Sequence, residues 1–447
     1  MAEQGDSDEG VPDQREFDIV LFGATGLTGR YSVEQLYKNC STSKEGLRWA
    51  VAGRNKKKIA KVLHEVSSWV SADLNEGPLA PPVIIADVFN QDSLTAMARR
   101  TRCIINTVGP YTQWGEPVIK ACLDTRTHML DLSGEFHYNE SMRNKYHRTA
   151  LKQGVVFIAT AGYDSVPCEM LLQYVRQKFP GRVNCLETFV TFTEGPLGSK
   201  VNSGTWESIL EVLTYHSLQT TRFVRERAWE TVFDQPWQEM EFRTRRPLAI
   251  SWRSPVPGYT IPFLGGEKPV VSHSEFFRRE MNPEHKRTQV QTYLYMPHLL
   301  KTIGFAFIIL MATILAQLPY GKRLLANYPG FFSGGFFSKD GPTREQVLTC
   351  GFTMLGIATG WYRDEPESAA PRRRLVARLD GPEVAYLTTS ICLVNAAICL
   401  VTETEKLPLR GGYLTPGFAL EKTSLFDRLV KNGFEFSIVE QEERSQQ

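Results

Sequence analysis

The sequence has few cysteines and no recognisable metal-binding motif. Its 447 residues include eight cysteines and eight histidines, yet no Cys-x-x-Cys pair and no His-Glu-x-x-His motif occurs. These absences exclude a disulfide-stapled scaffold and a zinc site of common spacing, so no metal is predicted. The first ten residues are acidic, whereas a secretory signal is basic and then apolar. We therefore expect reduced thiols and a cytosol-facing protein that is not secreted.

The chain also lacks an excess of charge of either sign. Lysine and arginine total 51 against 49 aspartates and glutamates, which gives a net charge of +2. A chain-wide attraction to nucleic acid is therefore not predicted. The composition, 42% hydrophobic and 11% aromatic, is that of an ordinary globular protein, and the length predicts two or three domains.

One stretch lacks charge altogether. Residues 303–318, IGFAFIILMATILAQL, contain no Asp, Glu, Lys or Arg. As a helix this stretch would be about 24 Å long. Its 16 residues are fewer than the roughly 20 that a helix needs to cross a bilayer. Lys301, Lys322 and Arg323 flank it and aromatic residues surround it, as is typical of a lipid–water boundary. The pattern favours monotopic or hairpin insertion into a lipid surface, and a helix buried in the core or in a homodimer is the alternative.

Short apolar runs alternate with helical patterns in the first third of the chain. Strands are predicted at 17–22, 47–52, 83–86, 103–108, 128–132 and 155–160, with helices between them. This order is typical of βαβ units in a doubly wound parallel sheet, the Rossmann arrangement. From residue 185 onward, longer alternating strands predict an α+β domain with a mainly antiparallel sheet.

Changes in composition along the sequence divide the chain into four parts. We predict a disordered lead at 1–13, a Rossmann domain at 14–168, a second α+β domain at 169–400 that includes the hydrophobic segment, and a C-terminal segment and tail at 401–447.

A glycine turn follows the first predicted strand. Gly23, Gly26 and Gly29 are spaced as GxxGxxG between the apolar strand and an amphipathic helix. In a dinucleotide-binding turn the first glycine permits a sharp bend, the second admits the pyrophosphate, and the third lets the helix pack on the strand. The amides of the helix N-terminus then face the phosphates. The segment predicts a nicotinamide dinucleotide site at the carboxyl edge of the sheet, with a purely structural turn as the alternative.

The residues after the second strand favour NADP over NAD. NAD enzymes place Asp or Glu there to bind the ribose 2′-hydroxyl, whereas this chain has Arg54, Lys57 and Lys58. A guanidinium can stack on adenine and neutralise a 2′-phosphate. The predicted cofactor-binding residues are Gly23, Thr25, Gly26, Leu27, Thr28, Gly29, Arg54, Asp87, Asn106, Val108 and Gly109.

Hydride transfer usually needs a proton donor with a pKa near neutral pH. Tyr111, Glu135 and Tyr163 follow three strand ends on the same edge, in the segments GPY, DLSGE and GYDSVP. We predict these three residues as the catalytic candidates. Asp131 and Asp164 lie in the same segments, where turn-forming and helix-capping roles are the alternative.

Together these motifs resemble the saccharopine dehydrogenase-like oxidoreductases of animals. The shared segments extend from GATGLTG at 23–29 and VAGRN at 51–55, through SGTW at 203–206 and FFSKDGPT at 336–343, to TPG at 415–417. The resemblance implies a Rossmann NAD(P) domain, a second α/β domain, and association with lipid droplets and other membranes. A more distant resemblance to bacterial trans-acting enoyl reductases of glycolipid synthesis implies reduction of a lipid-borne double bond.

The sequence therefore predicts a membrane- or lipid-droplet-associated, NADP-preferring oxidoreductase that reduces a lipid-linked carbonyl or alkene. Residues 303–318 would contact the lipid surface. Imine chemistry of the saccharopine type on a small soluble substrate is one alternative, although the basic and polar residues that bind two amino-acid moieties cannot be mapped onto residues 185–400. A catalytically silent Rossmann scaffold on lipid surfaces is the other.

Overall fold

Two seven-stranded sheets organise the protein. The computed structural model describes residues 14–40, 46–70, 80–214, 231–234, 240, 242–244, 250–252, 256–263, 265–318 and 320–441. The predicted lead at 1–13 lies outside these residues. Both sheets lie within the described residues.

The first sheet is parallel, and helices connect its strands. Its six N-terminal strands run in the order β6-β5-β4-β1-β2-β3. The elements in chain order are β1 Phe17–Phe22, α1 Leu27–Cys40, β2 Trp49–Gly53, α2 Lys56–Val70, β3 Val83–Ile85, α3 Gln91–Ala98, β4 Thr101–Asn106, α4 Tyr111–Thr125, β5 His128–Asp131, α5 Phe136–Gln153 and β6 Val156–Ile158.

This part of the structure confirms the predicted Rossmann arrangement. All six residues of β1 are buried, as expected of a strand covered on both faces by helices. The strand order reverses between β1 and β4, because the chain crosses from β3 at one edge to the other side of β1. Doubly wound sheets bind ligands at such a reversal, outside the carboxyl ends of the strands.

The second sheet is mixed and mainly antiparallel. The elements that follow in chain order are α6 Val166–Lys178, β7 Gly181–Thr193, β8 Val201–Asn202, α7 Ser203–Thr214, β9 Ser251–Trp252, β10 Tyr259–Pro262, α8 Glu267–Met281, β11 Gln289–Met296, α9 Leu299–Ala316, α10 Gly321–Asn327, α11 Pro329–Phe332, β12 Phe337–Ser338, α12 Arg344–Thr349, β13 Gly351–Tyr362 and β14 Arg373–Pro382. Strand β7 pairs in parallel with β11 and antiparallel with β13. A separate two-stranded sheet joins β8 and β12 in parallel.

The last part of the chain contributes strands to both sheets, and the predicted domain boundaries at 168 and 400 stay predictions. It comprises a π-helical turn Val384–Thr388, α13 Thr389–Thr402, a 3₁₀ turn Thr404–Lys406, β15 Gly412–Leu414, α14 Pro416–Ala419, α15 Leu425–Lys431 and β16 Glu435–Gln441. Strand β15 adds to the first sheet beside β6, and β16 adds to the second sheet beside β14. A three-residue strand is too short to leave a recognisable alternation in the sequence.

Two helices are long and apolar enough to cross a membrane by length and composition. In α9 the mean hydropathy is 2.2 and 17% of the residues are buried. The segment Val384–Thr402, which contains α13, has a mean hydropathy of 2.0 and is 83% buried. Helix α13 contacts α1, β1 and β4 of the first sheet, so it is a core helix, whereas the apolar surface of α9 is exposed.

A buried carboxyl group joins α6, α8 and the C-terminal segment. Glu169 accepts a hydrogen bond from the Ser274 hydroxyl, whose oxygen lies 2.6 Å from that of Thr415. The second carboxyl oxygen of Glu169 has no hydrogen-bond partner among the described residues. Burial raises the pKa of Glu169 to about 7, although nearby Arg278 opposes the shift.

This raised pKa predicts a pH-dependent stability. The folded protein holds a proton on Glu169 up to about pH 7, whereas the unfolded chain releases it near pH 4.3. Stability should therefore fall as the pH rises between these values, by up to about 4 kcal/mol. We expect Glu169→Gln, which resembles the protonated acid, to unfold at a higher temperature than the wild type above pH 7 and at a similar temperature at pH 4.5. Parallel melting profiles from pH 4.5 to 8 would contradict this assignment.

Candidate functional site

The glycine turn lies between β1 and α1 and has the geometry that a dinucleotide requires. Gly23 has a φ of +103°, and a Cβ atom there would lie 2.6 Å from the Thr107 hydroxyl oxygen. A Cβ atom on Gly29 would lie 2.3 Å from the Gly23 carbonyl oxygen. Gly26 is exposed, and a Cβ atom there would reach only Gly23 O, at 3.5 Å. The first and third glycines are therefore needed for packing, and the second leaves space for a ligand.

The N-terminus of α1 borders this space. Helix α1 begins at Leu27, so the N–H groups of its first turn have no partner within the helix. Thr25 is exposed, and Leu27 and Thr28 are half-buried. The partial positive charge of the helix N-terminus favours a phosphate here. Six of the predicted cofactor residues, all in 23–29, thus lie together at one end of the sheet.

The end of β2 is positively charged. Arg54, Lys57 and Lys58 are exposed, and within the described part of the chain Arg54 forms no ion pair. Asn55 caps α2 by accepting a hydrogen bond from the Lys58 amide at 3.0 Å. Because no carboxylate occupies residues 52–58, this strand end suits a 2′-phosphate better than a free ribose hydroxyl.

The remaining predicted cofactor residues follow β3 and β4. Asp87 is half-buried, and one of its carboxyl oxygens accepts from the Phe89 amide at 3.2 Å. Asn106 is buried, and its Oδ1 accepts from the Val108 amide at 3.1 Å. The Asn106 Nδ2 atom has no hydrogen-bond partner among the described residues. Gly109 is exposed and Val108 half-buried, so this loop borders the open edge.

Two of the three predicted catalytic residues are bound to backbone groups. The Glu135 carboxylate accepts from the amides of Tyr111 and Thr112, at 3.0 and 2.7 Å, and so caps the N-terminus of α4. The Tyr111 hydroxyl donates to the Asn106 carbonyl at 3.0 Å and lies 3.3 Å from the Leu132 amide. The structure therefore places Tyr111 and Glu135 close together and gives both side chains a role in holding the local backbone. Their catalytic roles stay predictions.

Tyr163 lies in a different environment. Its hydroxyl is buried without a hydrogen-bond partner among the described residues, and its ring packs edge-on against Phe192 and Phe352. Burial raises the pKa of Tyr163 well above its usual range, and the charges of Glu267 and Asp164 add to this shift. Glu267, the first residue of α8, carries no sequence signal because it comes about a hundred residues later in the chain.

Asp131 is the acid of this edge whose pKa lies closest to neutrality. Its Oδ1 atom accepts from the amides of Ser133 and Thr160, at 3.0 and 3.2 Å, and its Oδ2 atom has no partner among the described residues. Burial raises the pKa of Asp131 to about 7, against the two backbone hydrogen bonds that lower it. Asp131 is also the register neighbour of Asn106 on β4. Two buried polar groups with spare hydrogen-bonding capacity thus occur on adjacent strands.

Local strain occurs at the same place. Thr160, just after β6, has a φ of +58°, which is unfavourable for a β-branched residue and is found mainly at functional sites. Its hydroxyl donates to the Ser133 carbonyl at 2.6 Å, and its amide binds Asp131.

A second acid, Asp164, has its pKa raised by burial to about 6. No group of His, Cys, Asp and Glu suited to a metal ion occurs among the described residues.

The N-terminal part of the chain, residues 19–158, matches the family model for the saccharopine dehydrogenase NADP binding domain. The human saccharopine dehydrogenase-like oxidoreductase is 33% identical over 96% of this chain and 99% of its own length. The chain belongs to the saccharopine dehydrogenase-like oxidoreductase family. It is thus an NADP-dependent oxidoreductase by family, and the predictions of family, cofactor and fold class are confirmed.

Other similar proteins extend this picture. The "Lipid droplet localized protein" of Caenorhabditis elegans is 30% identical over 94% of this chain and 98% of its own length. A "Trans-acting enoyl reductase" of Mycobacterium leprae is 38% identical over 36% of this chain and 35% of its own length. Apo saccharopine dehydrogenase (L-Glu forming) of Saccharomyces cerevisiae has the same fold, with a TM-score of 0.51 at 12% identity over 95% of this chain and all of that chain.

The charge at the end of β2 predicts how the protein discriminates between cofactors. We expect Arg54→Gln to weaken NADPH binding by about tenfold, because a charge-assisted hydrogen bond to phosphate contributes about 1.5–3 kcal/mol. The affinity for NADH should fall much less, because NADH lacks the 2′-phosphate and loses only the stacking of the guanidinium on adenine. Fluorescence titration of both nucleotides measures the two effects.

Lys61→Gln is the matched control, because Lys61 is an exposed cation further along α2. An equal loss of NADPH and NADH affinity in Arg54→Gln would show that Arg54 does not read the 2′-phosphate.

Proposed function

We propose that the protein reduces a lipid-linked carbonyl or alkene with NADPH while it is bound to the surface of a lipid droplet or of a cytosol-facing membrane. The observation that carries this proposal is the exposed apolar surface of α9. The family gives the oxidoreductase activity and the cofactor, and the surface supports the class of substrate and its location.

Helix α9 exposes its large side chains and buries its small ones. Leu300 is 83% exposed, Phe307 60% and Leu310 57%. The buried residues of α9 are Thr302, Ala312 and Ala316. A helix of a soluble protein normally has the opposite arrangement, with its apolar residues facing the core. The apolar side of α9 therefore fits a lipid phase.

The elements after α9 extend this surface, which we call the apolar patch. Lys301 and Arg323 are exposed cations within the same stretch of chain, and Lys322 is paired with Glu211 at 2.6 Å. Exposed apolar patches mark interaction sites, and cations beside them favour anionic lipid headgroups. The patch comprises the exposed residues Leu299, Leu300, Ile303, Phe305, Phe307, Leu310, Met311, Ile314, Leu318, Tyr320, Leu324, Tyr328, Phe331 and Phe336.

The path of the chain favours a helix that lies on the lipid surface over one that crosses it. Helix α9 contacts β10 and β11 as well as α7 and α10, so one of its sides rests against the body of the protein. The chain then returns to the same body, because β12 pairs with β8. A helix anchored at both ends to one folded body is suited to monotopic binding.

The carboxyl edge of the first sheet supplies the groups for reduction. NADPH, when bound, supplies a hydride. Residues 23–29 and Arg54 would hold its phosphates, and Asp131, with a pKa of about 7, can hold the proton that a reduced carbonyl or alkene takes up. The aromatic rings of Tyr163, Phe192 and Phe352 would give an apolar substrate a matching wall.

The names of two relatives agree with this proposal. One relative is described as localized to lipid droplets, and another as an enoyl reductase. The alternative, saccharopine-type imine chemistry on a small soluble substrate, offers no reason for the exposed surface of α9. Lipid-surface reduction accounts for both the cofactor site and the patch.

The apolar patch predicts how the protein partitions with lipid. We expect Phe307→Asp combined with Leu310→Asp to move the protein from the floating to the soluble fraction in a flotation assay with lipid droplets or phosphatidylcholine vesicles. Each exposed side chain contributes about 2 kcal/mol of transfer free energy, so partitioning should fall by more than about tenfold.

Val439→Asp is the matched control, since Val439 is 59% exposed on β16 outside the patch, and it should still float. A double variant that folds and floats like the wild type would show that α9 is not the anchor.

The proposed reaction predicts a preference for lipid-held substrates. We expect NADPH oxidation with hexadec-2-enal in phosphatidylcholine vesicles, which offers both a carbonyl and an alkene, to exceed that with water-soluble crotonaldehyde. The ratio of kcat/KM should be at least about tenfold, because burial of two methylene groups contributes about 1.6 kcal/mol. Activity should fall as the pH rises through about 7, where Asp131 loses its proton.

Asp131→Asn should lower kcat and remove that pH dependence without releasing the protein from vesicles. Equal turnover of both aldehydes, or turnover of a soluble imine alone, would contradict the proposed substrate class.

A further inference from the structure

The segment 338–343, SKDGPT, forms a rigid turn in the second half of the chain. The Ser338 hydroxyl accepts from the Gly341 amide at 3.1 Å, and Gly341 has a φ of +71°. At the other end of the turn, Thr343 and Gln346 cap α12 reciprocally. The turn is therefore held in place on both sides of Lys339 and Asp340, which are both exposed.

This turn packs directly on the cofactor loop. A Cβ atom on Gly341 would lie 3.0 Å from Leu27 Cδ2 and 3.3 Å from Asn202 Nδ2. Leu27 is the first residue of α1, whose free amides form the predicted phosphate site. Asn202 in turn donates from Nδ2 to the Lys339 carbonyl at 3.1 Å, and its backbone amide donates to the Tyr386 hydroxyl at 2.7 Å. Lys339 is thus two residues away from a contact with the N-terminus of α1.

An ion pair fixes the same turn further along α1. Arg344 donates two hydrogen bonds to the Glu34 carboxylate, at 2.9 and 2.8 Å. Glu34 is 1% exposed, and the Arg344 guanidinium also lies 4.1 Å from the ring centre of Trp69. A bidentate pair with a buried carboxylate holds its partners in one geometry. The position of the turn relative to α1 is therefore set at two places.

The cofactor loop itself brings no free cation to the phosphates. Within residues 17–30 the only basic residue is Arg30, and Arg30 faces Glu65 at 3.4 Å. Lys339 forms no ion pair among the described residues. Two residues of chain span about 7 Å at most, so the Lys339 backbone lies no further than that from a residue that contacts Leu27, and its long, flexible side chain extends from there. Lysine is well suited to such a contact as a compact point charge.

We propose that Lys339 binds the pyrophosphate of NADPH, so that the 338–343 turn completes the cofactor site from the second half of the chain. This role rests on the NADP binding of the family and does not depend on the lipid substrate proposed above. It assigns a binding function to the FFSKDGPT motif at 336–343. The side chain acts by neutralising phosphate charge and takes no part in proton or hydride transfer.

The test compares two ligands that share the 2′-phosphate. We expect Lys339→Gln to weaken NADPH binding by about tenfold in fluorescence titrations, and the loss should shrink at high salt because screening weakens charge interactions. Binding of adenosine 2′-phosphate, which has no pyrophosphate, should stay unchanged, measured by calorimetry. Arg54→Gln should weaken the binding of both ligands, so the two measurements distinguish the two cationic sites.

Asp340→Asn is the matched control in the same turn, and it should bind NADPH at least as tightly as the wild type because it removes a negative charge. Lys339→Gln and Asp340→Asn should both melt at the wild-type temperature without ligand, since both side chains are exposed. Unchanged NADPH affinity in Lys339→Gln, or an equal loss for adenosine 2′-phosphate, would overturn the role of Lys339. Failure of the wild type to bind NADPH would overturn the cofactor itself, whereas failure to float with lipid would leave this role intact.

Discussion

The close packing of α13 on α1 is the contact on which the rest of the structure depends. Ser32 and Ser390 are both fully buried, and their hydroxyl oxygens lie 3.2 Å apart. The Ser390 hydroxyl also donates to the carbonyl of Thr28, within the cofactor turn, at 3.2 Å. Small side chains let the two helices approach closely, and the apolar residues of α13 then join the first sheet to the core beneath the second sheet. The cofactor turn is thereby supported by a helix that comes some 360 residues later in the chain.

The two most apolar helices illustrate what hydropathy alone can show. Sequence reasoning singled out 303–318 because it lacks charge, and α13 has nearly the same hydropathy. Their locations differ because α13 packs against α1, β1 and β4, whereas only 17% of α9 is buried by its neighbours. Burial depends on what the rest of the chain brings alongside, and this information is absent from a local window of sequence.

The sequence was sufficient for the cofactor half and much less so for catalysis. The strand spacing and the glycine turn depend on local rules, so the six predicted strands have their boundaries within two residues of the observed ones. Strand β15 and residue Glu267 contribute to the same region from remote positions and have no local signature. Glu135 was selected by type and position, but its carboxylate binds the amides of Tyr111 and Thr112 at the start of α4. Conversely, the burial that raises the pKa of Asp131 becomes visible only in three dimensions.

The placement of β15 and β16 has a consequence for biosynthesis. Each sheet receives an edge strand from the last forty residues of the described chain, so the first sheet is incomplete until translation has passed residue 414 and the second until it has passed residue 441. Until then β6 and β14 present open backbone edges, which are prone to pair with other chains. Helix α9 precedes both edge strands, β15 and β16, in the chain, so it is synthesised before either sheet is complete. A prematurely terminated chain would therefore combine an exposed apolar helix with two unfinished sheets, a combination that cellular quality control recognises as misfolded.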